Sequence, residues 1–223
     1  MTLRRFIIAA IAGVALWHGG CAAALQVKAE LAQVLLQNAW DAARSGESAA
    51  KPWPWADMWP VARLRFERRG EDLIVLSNAT GRSLAFGPGV AGAVLPGESG
   101  NSVLAGHRDT HFEFLQHVRP GDRFSIQRVD GVRRAFRVES IVVADSRDMA
   151  LHAGGDESVV TLVTCYPFGS TETGGPLRYV VIAQPDTRPH MHDGLSGLQL
   201  HALNRLDADF RVAVRRGGRD SKL

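Results

Sequence analysis

The chain has 223 residues, with 26 Lys and Arg against 23 Asp and Glu, 45% hydrophobic and 22% charged residues. That length holds one globular domain plus extensions, and the composition excludes wholesale disorder, collagen and coiled coil. The sequence pI near 9.2 rests on a formal excess of +3 with no dominating block of like charge, so no nucleic-acid partner is expected. Two cysteines, Cys21 and Cys165, are too few for a disulfide scaffold or a four-cysteine zinc site.

The chain opens on a short basic leader, Met1 to Arg5, followed by an apolar run from Phe6 to Trp17. Alone this run is too short for a hydrocarbon core that needs roughly 20 residues. The stretch through His18 and Gly19 into Cys21-Ala22-Ala23-Ala24-Leu25 extends it. Three readings stand: an uncleaved anchor over residues 1–25, a signal peptide cut after Ala24, or a lipoprotein site at Cys21. All three place the later residues outside the cytoplasm, because Arg4 and Arg5 stay inside. No Cys21–Cys165 bridge is expected, since Cys21 lies in or beside the apolar segment. Cys165 is then a lone thiol in an oxidising compartment.

Residues 26–59 are expected to form a helix and a linker. Leu31, Val34, Leu35 and Ala39 carry a helical period to about Ala43. Ser45 to Pro60 interleaves Pro52, Pro54 and Pro60 with Trp53, Trp55 and Trp59, a cluster expected to pack along the domain, the alternative being a rest on the membrane surface.

From Val61 the pattern turns to β. Val61–Glu67 and Leu73–Asn78 flank Arg68-Arg69-Gly70-Glu71-Asp72 and predict a hairpin. Leu84–Phe86 is a predicted short strand, residues 87–100 a Gly/Pro-rich loop, Ser102–Gly106 a strand and Phe112–Leu115 a helical turn. A second hairpin, Arg123–Val129 with Val132–Asp145, turns at Asp130-Gly131; Ser158–Thr164 and Leu177–Ala183 complete the set. Short strands at regular spacing predict an all-β domain over residues 60–185, an antiparallel barrel or sandwich. Residues 186–223 form a mixed-charge extension with a weak strand at Phe210–Val214.

Some motifs can be set aside. Gly87-Pro88-Gly89-Val90-Ala91-Gly92 matches a dinucleotide fingerprint by letter, but no βαβ unit surrounds it. His190-Met191-His192-Asp193 sits in the extension without further ligand candidates, so no metal is expected there. Arg68, Arg69, Arg215 and Arg216 are expected to face solvent.

Cys165 ends the strand Val159–Thr164 just before Tyr166-Pro167, which fits either a rim nucleophile or a buried structural thiol. If the next strand pairs antiparallel across the intervening loop, Arg178 starts at the same rim. Its permanent charge there could stabilise a thiolate or an oxyanion. His107 ends the strand Ser102–Gly106 as Cys165 ends its own, and it can serve a thiol as proton partner. Gly106 beside it would admit a substrate backbone. His111 is the nearest competitor.

Ala105-Gly106-His107-Arg108-Asp109, Thr161-Leu162-Val163-Thr164-Cys165 and Pro176-Leu177-Arg178 together resemble the sortases, the cysteine transpeptidases of bacterial surfaces. Thr164-Cys165-Tyr166-Pro167-Phe168 and Gly174-Gly175-Pro176-Leu177-Arg178-Tyr179 are most similar to the Gram-negative class and to class D. The resemblance covers about residues 60–185. It implies a closed eight-stranded barrel with short helical turns, preceded by a membrane segment and helix. It also implies cleavage of an L-P-x-T-G-type signal between Thr and Gly, on a secreted protein, with transfer to an amine acceptor.

By that resemblance Cys165 forms the thioester, His107 protonates the departing amine, and Arg178 with the backbone N–H after Cys165 holds the oxyanion. Substrate contacts are expected at Ala105, Thr164, Tyr166, Met149 and Leu151, with no metal or organic cofactor. Glu98, Asp145 and Asp156 are too scattered for the calcium site of some relatives. The expected place is the periplasmic face of the inner membrane, or the soluble periplasm after cleavage at Ala24. A secreted cysteine hydrolase with the same dyad and a non-enzymatic β-barrel binding module are the alternatives.

Overall fold

The computed structural model describes residues 2–148, 156–170 and 174–187. A single helix, α1 (Thr2–Arg44), opens the chain. The compositional boundary near residue 25 therefore falls inside one unbroken helix. Its N-terminal half exposes Ile7, Ile8, Ile11, Val14, Leu16 and Trp17, and by length and composition the segment Ala10–Arg44 is apolar enough to cross a membrane. Its C-terminal half buries Ala32, Leu36, Ala39 and Trp40, at the i, i+4, i+7, i+8 spacing of one helix face.

Eight strands follow among the described residues: β1 (Pro60–Phe66), β2 (Glu71–Leu76), β3 (Gly89–Val90), β4 (Gly100–Ala105), β5 (Arg123–Arg128), β6 (Arg133–Asp145), β7 (Ser158–Cys165) and β8 (Leu177–Pro185). They close into a barrel in the order β1-β2-β3-β4-β7-β8-β6-β5. The two expected hairpins form: β1 pairs antiparallel with β2, and β5 with β6. Inside, Ala62, Leu64 and Phe66 of β1 meet Phe124, Ile126, Phe136, Val160, Leu162 and Val181. Phe66 stacks on Phe124 at 4.7 Å, and Phe124 on Phe136 at 5.6 Å. The 3₁₀ turn Glu113–His117 adds Phe114 and Leu115 to this core, next to Phe112 and Val118.

Two expectations are corrected. The barrel is not wholly antiparallel: β2 pairs β3, and β4 pairs β7, in parallel. The β5–β6 hairpin lies in the connection from β4 to β7, and a crossover of that length is what a parallel pair requires. Residues 84–86 are not a strand either, since Ser83–Ala85 is a 3₁₀ turn. Asn78 Oδ1 accepts hydrogen bonds from Thr80 N–H and Ser83 Oγ–H, and Leu84 N–H donates to the Thr80 carbonyl. Local side-chain bonds of this kind win over a ladder. In the Pro/Trp linker, Trp53 packs on Phe86 at 5.0 Å, whereas Trp55 is 82% exposed.

Candidate active site

β7 is buried on both faces over seven residues and then exposes its last, Cys165. Val160 and Leu162 face the barrel interior. Val159 and Val163 join Val103 of β4 and Val180 and Ile182 of β8 in a second apolar cluster on the other face. Strand alternation puts Cys165 on that outer face, two residues beyond Val163. Arg178 lies directly opposite Cys165 in the antiparallel β7–β8 register, and opposite residues share a face.

The parallel β4–β7 register runs from Gly100 opposite Ser158 to Ala105 opposite Val163. Both strands therefore end at one rim, and His107 leaves β4 where Cys165 closes β7. The backbone of Gly106 fixes this junction. Its N–H donates to the Val163 carbonyl at 3.2 Å, and its carbonyl accepts from the buried Thr164 hydroxyl at 2.7 Å. A Cβ on Gly106 would come within 2.7 Å of the Phe112 ring. Glycine is needed here to seat that ring.

His107 and Cys165 line one cavity of about 270 Å³ with Arg108, Asp109, Tyr166, Pro167, Ser170, Gly174 and Gly175. The competing His111 is turned elsewhere. It lines a smaller cavity, about 160 Å³, with Gln33 and Gln37 of α1 and with Arg63 and Asp72 of the β1–β2 hairpin. Burial, and then the His107 charge, hold the His111 imidazole below its ordinary pKa.

Tyr166 lines the cavity and stacks on Tyr179 at 6.1 Å, with Phe168 edge-on to both rings. Burial, and then Tyr166, raise the Tyr179 hydroxyl. The Tyr166–Pro167 peptide is cis. Ala105 is half-buried at the end of β4, while Thr164 is 3% exposed with its hydroxyl committed to Gly106. Met149 and Leu151 lie outside the described residues.

The backbone N–H after Cys165 is already engaged, because Tyr166 N–H donates to the Leu177 carbonyl at 3.0 Å. It extends the β7–β8 ladder by one bond and does not point a donor into the cavity. Arg178 Nη1 donates to the Gly175 and Leu177 carbonyls at 2.7 and 2.9 Å. Nearby Asp145 is held down to about 2, chiefly by hydrogen bonds from Arg147 and more weakly by the Arg178 charge.

Arg108 and Asp109 stand in the motif that carries His107, yet sequence reasoning gave them no place of their own. Arg108 is 7% exposed. Its Nε and Nη2 donate to the two carboxylate oxygens of Asp109 at 2.8 and 3.1 Å. That pairing raises the guanidinium pKa and lowers the carboxyl pKa.

Comparison with known proteins follows the barrel. A family model described as the sortase domain matches residues 64–186. Curated proteins give no match. Among solved structures, the chain is similar to sortase A from Corynebacterium diphtheriae at 25% identity, covering 61% of this chain and 65% of that one, with TM-score 0.53. It is also similar to sortase C1 from Streptococcus agalactiae, at 28% identity over 59% of this chain and 69% of that one, with TM-score 0.51. A Clostridium perfringens sortase D5 transpeptidase shares the fold at 21% identity, over 70% of this chain and 99% of that one, with TM-score 0.57. The chain thus spans just under two thirds of the first of these structures.

Proposed function

Because the chain belongs to the sortase family, we propose that it is a cysteine transpeptidase that cuts an L-P-x-T-G-type signal between Thr and Gly. The single observation that carries this reading is the parallel β4–β7 pair, whose two ends set His107 and Cys165 in one cavity.

In the proposed reaction the Cys165 Sγ attacks the threonine carbonyl carbon, and negative charge develops on the carbonyl oxygen. The C–N bond to glycine breaks, and the departing amine takes a proton from His107. A thioester remains on Cys165. An incoming amine then attacks the same carbon, giving its proton to His107, and the C–S bond breaks to return the thiolate. Arg178 is assigned the oxyanion. Its fork carries five N–H donors, and the bonds to Gly175 and Leu177 use only Nη1. With the Tyr166 N–H held in the ladder, the guanidinium has more of that work than a backbone donor would leave it. Ala105, Tyr166, Met149 and Leu151 are proposed to contact the signal peptide, with Thr164 shaping the floor beneath them.

The apolar half of α1 behind Arg4 and Arg5 supports a membrane anchor with the barrel on the periplasmic side. The Thr164–Phe168 string favours the Gram-negative and class D members. Residues 60–185 are the proposed catalytic barrel, and residues 186–223 an extension of it.

The test uses the full chain in detergent with an L-P-x-T-G peptide and a glycine amide acceptor, products being followed by mass spectrometry. A new threonyl–glycine amide, absent with Cys165→Ala and with His107→Ala, supports the reading. Free acid as the only product makes the protein a hydrolase. No cleavage, with Cys165 inert to alkylation, favours a binding module.

A further inference from the structure

In the connection from the nucleophile strand to the arginine strand, Tyr166, Pro167, Ser170, Gly174 and Gly175 line the cavity. Gly169 and Gly174 in that connection take positive φ. Two arginines hold it from outside. Arg178 takes the returning limb at the Gly175 carbonyl. Arg108 takes the outgoing limb, donating from Nη1 to the Pro167 carbonyl at 2.8 Å and from Nη2 to the Ser170 carbonyl at 2.7 Å.

We propose that Arg108 is a positioning residue for the reaction at Cys165, tying the turn that carries His107 to the loop that follows the nucleophile. The inference rests on the transpeptidase reading above and deepens it. Arg108 adjoins His107 in sequence, and its acceptors Pro167 and Ser170 lie two and five residues beyond Cys165. Moving the guanidinium therefore moves the two sides of the cavity relative to each other. Asp109 clamps the fork from behind through Nε and Nη2, so the charge is paired and the planar group cannot swing.

A surface ion pair would not be built this way. Desolvating a guanidinium is costly unless its donors are satisfied, and here a carboxylate and two loop carbonyls satisfy it. Lysine would keep the charge, but its compact ammonium cannot serve a carboxylate fork and two separate carbonyls in one plane. The substitution Arg108→Lys thus separates the tie from the charge.

The experiment compares full-length wild type, Arg108→Lys and Arg108→Gln in detergent by hydrogen exchange, Cys165 alkylation with iodoacetamide, and transfer kinetics. Exchange over residues 166–170 is expected to speed up by about tenfold or more in both variants, with β7 protection unchanged. A misplacement of about 1 Å costs on the order of 10²-fold, and kcat should fall by that much. KM should stay within about threefold in both variants, and the alkylation rate within about threefold in Arg108→Lys, because Arg108 does not supply uniform binding and lysine keeps the charge that Cys165 faces. Full kcat in Arg108→Lys would assign the effect to charge and overturn the tie. Unchanged exchange over 166–170, or protection lost from β7 as well as the loop in both variants, would overturn it too. If wild type itself makes no amide product, the transpeptidase reading fails, while the exchange comparison still decides whether Arg108 holds the loop.

Discussion

Two strand pairs of the same barrel, β1–β2 and β4–β7, show what pairing direction does to chemistry. β1 and β2 are adjacent in sequence and antiparallel, and their outer side is covered by the chain itself. Leu36 of α1 packs there with Ala56, Met58 and Leu76, against Ile74 and Phe86. β4 and β7 are parallel and end at the same rim, with His107 two residues beyond β4 and Cys165 at the last position of β7. Antiparallel neighbours send their C-terminal ends to opposite rims. A parallel pair brings two such ends together, which lets one histidine and one cysteine line the same cavity. One pair supplies stability, the other geometry.

The sharpest way to test that division is to truncate one side chain of each pair. Cys165→Ala should lower amide transfer on the order of 10⁴-fold or more, with thermal stability little changed because Cys165 is exposed. Phe66→Ala, on the buried side of β1, should cost about 3–5 kcal/mol of folding free energy in a denaturant titration. The folded fraction of that variant should keep its kcat. If Phe66→Ala instead lowered kcat at saturating substrate in the folded population, the hairpin would not be separable from the site.

Next in size is Arg178→Gln. With the Tyr166 N–H donating to Leu177, loss of the guanidinium is expected to lower kcat by about 10²–10³-fold, read in steady-state transfer. Near-normal turnover would mean that the ladder bond opens during reaction and releases the amide to the oxyanion. Thr164→Val is a smaller cut across the parallel junction. It keeps the shape of the side chain but deprives the Gly106 carbonyl of its 2.7 Å partner, costing about 1–3 kcal/mol on unfolding.

The division also explains what could be read from the residues in advance. The hairpins were legible because their turns are local. Gly70 and Gly131 both take positive φ, and Asp130 Oδ1 accepts a hydrogen bond from Val132 N–H across its own turn. The placing of Arg178 opposite Cys165 follows from antiparallel pairing of consecutive strands across one connection, residues 166–176. The β4–β7 register is non-local, and an alternating or fully apolar strand carries the same pattern in either pairing direction. The residues offer His107 as a strand-end histidine with His111 as its competitor, and the family resemblance, not the pattern, pairs it with Cys165. Arg108 was harder still. Nothing in a run of polar residues after a glycine tells that the guanidinium is buried against carbonyls some 60 residues away, at a separation of 59 to Pro167 and 62 to Ser170.

His111 sits between the two regions and gives the finest test of their separation. It leaves the turn that begins at His107, but it faces the cavity shared with α1 and the β1–β2 hairpin. There Arg63 and Asp72 line the same cavity, and burial, the first cause, and the His107 charge hold its pKa below the ordinary 6.5. A histidine whose pKa is lower folded than unfolded binds more protons in the unfolded chain, so its contribution is fully present above about pH 6.5 and declines as pH falls below it. The melting temperature should accordingly drop between pH 7 and 5 more steeply in wild type than in His111→Gln, by a few degrees at most. Acyl transfer at pH 7.5 should be equal in the two proteins, because this imidazole belongs to the helix–hairpin seam. Equal slopes would remove His111 from that seam, and unequal transfer would join the seam to the site.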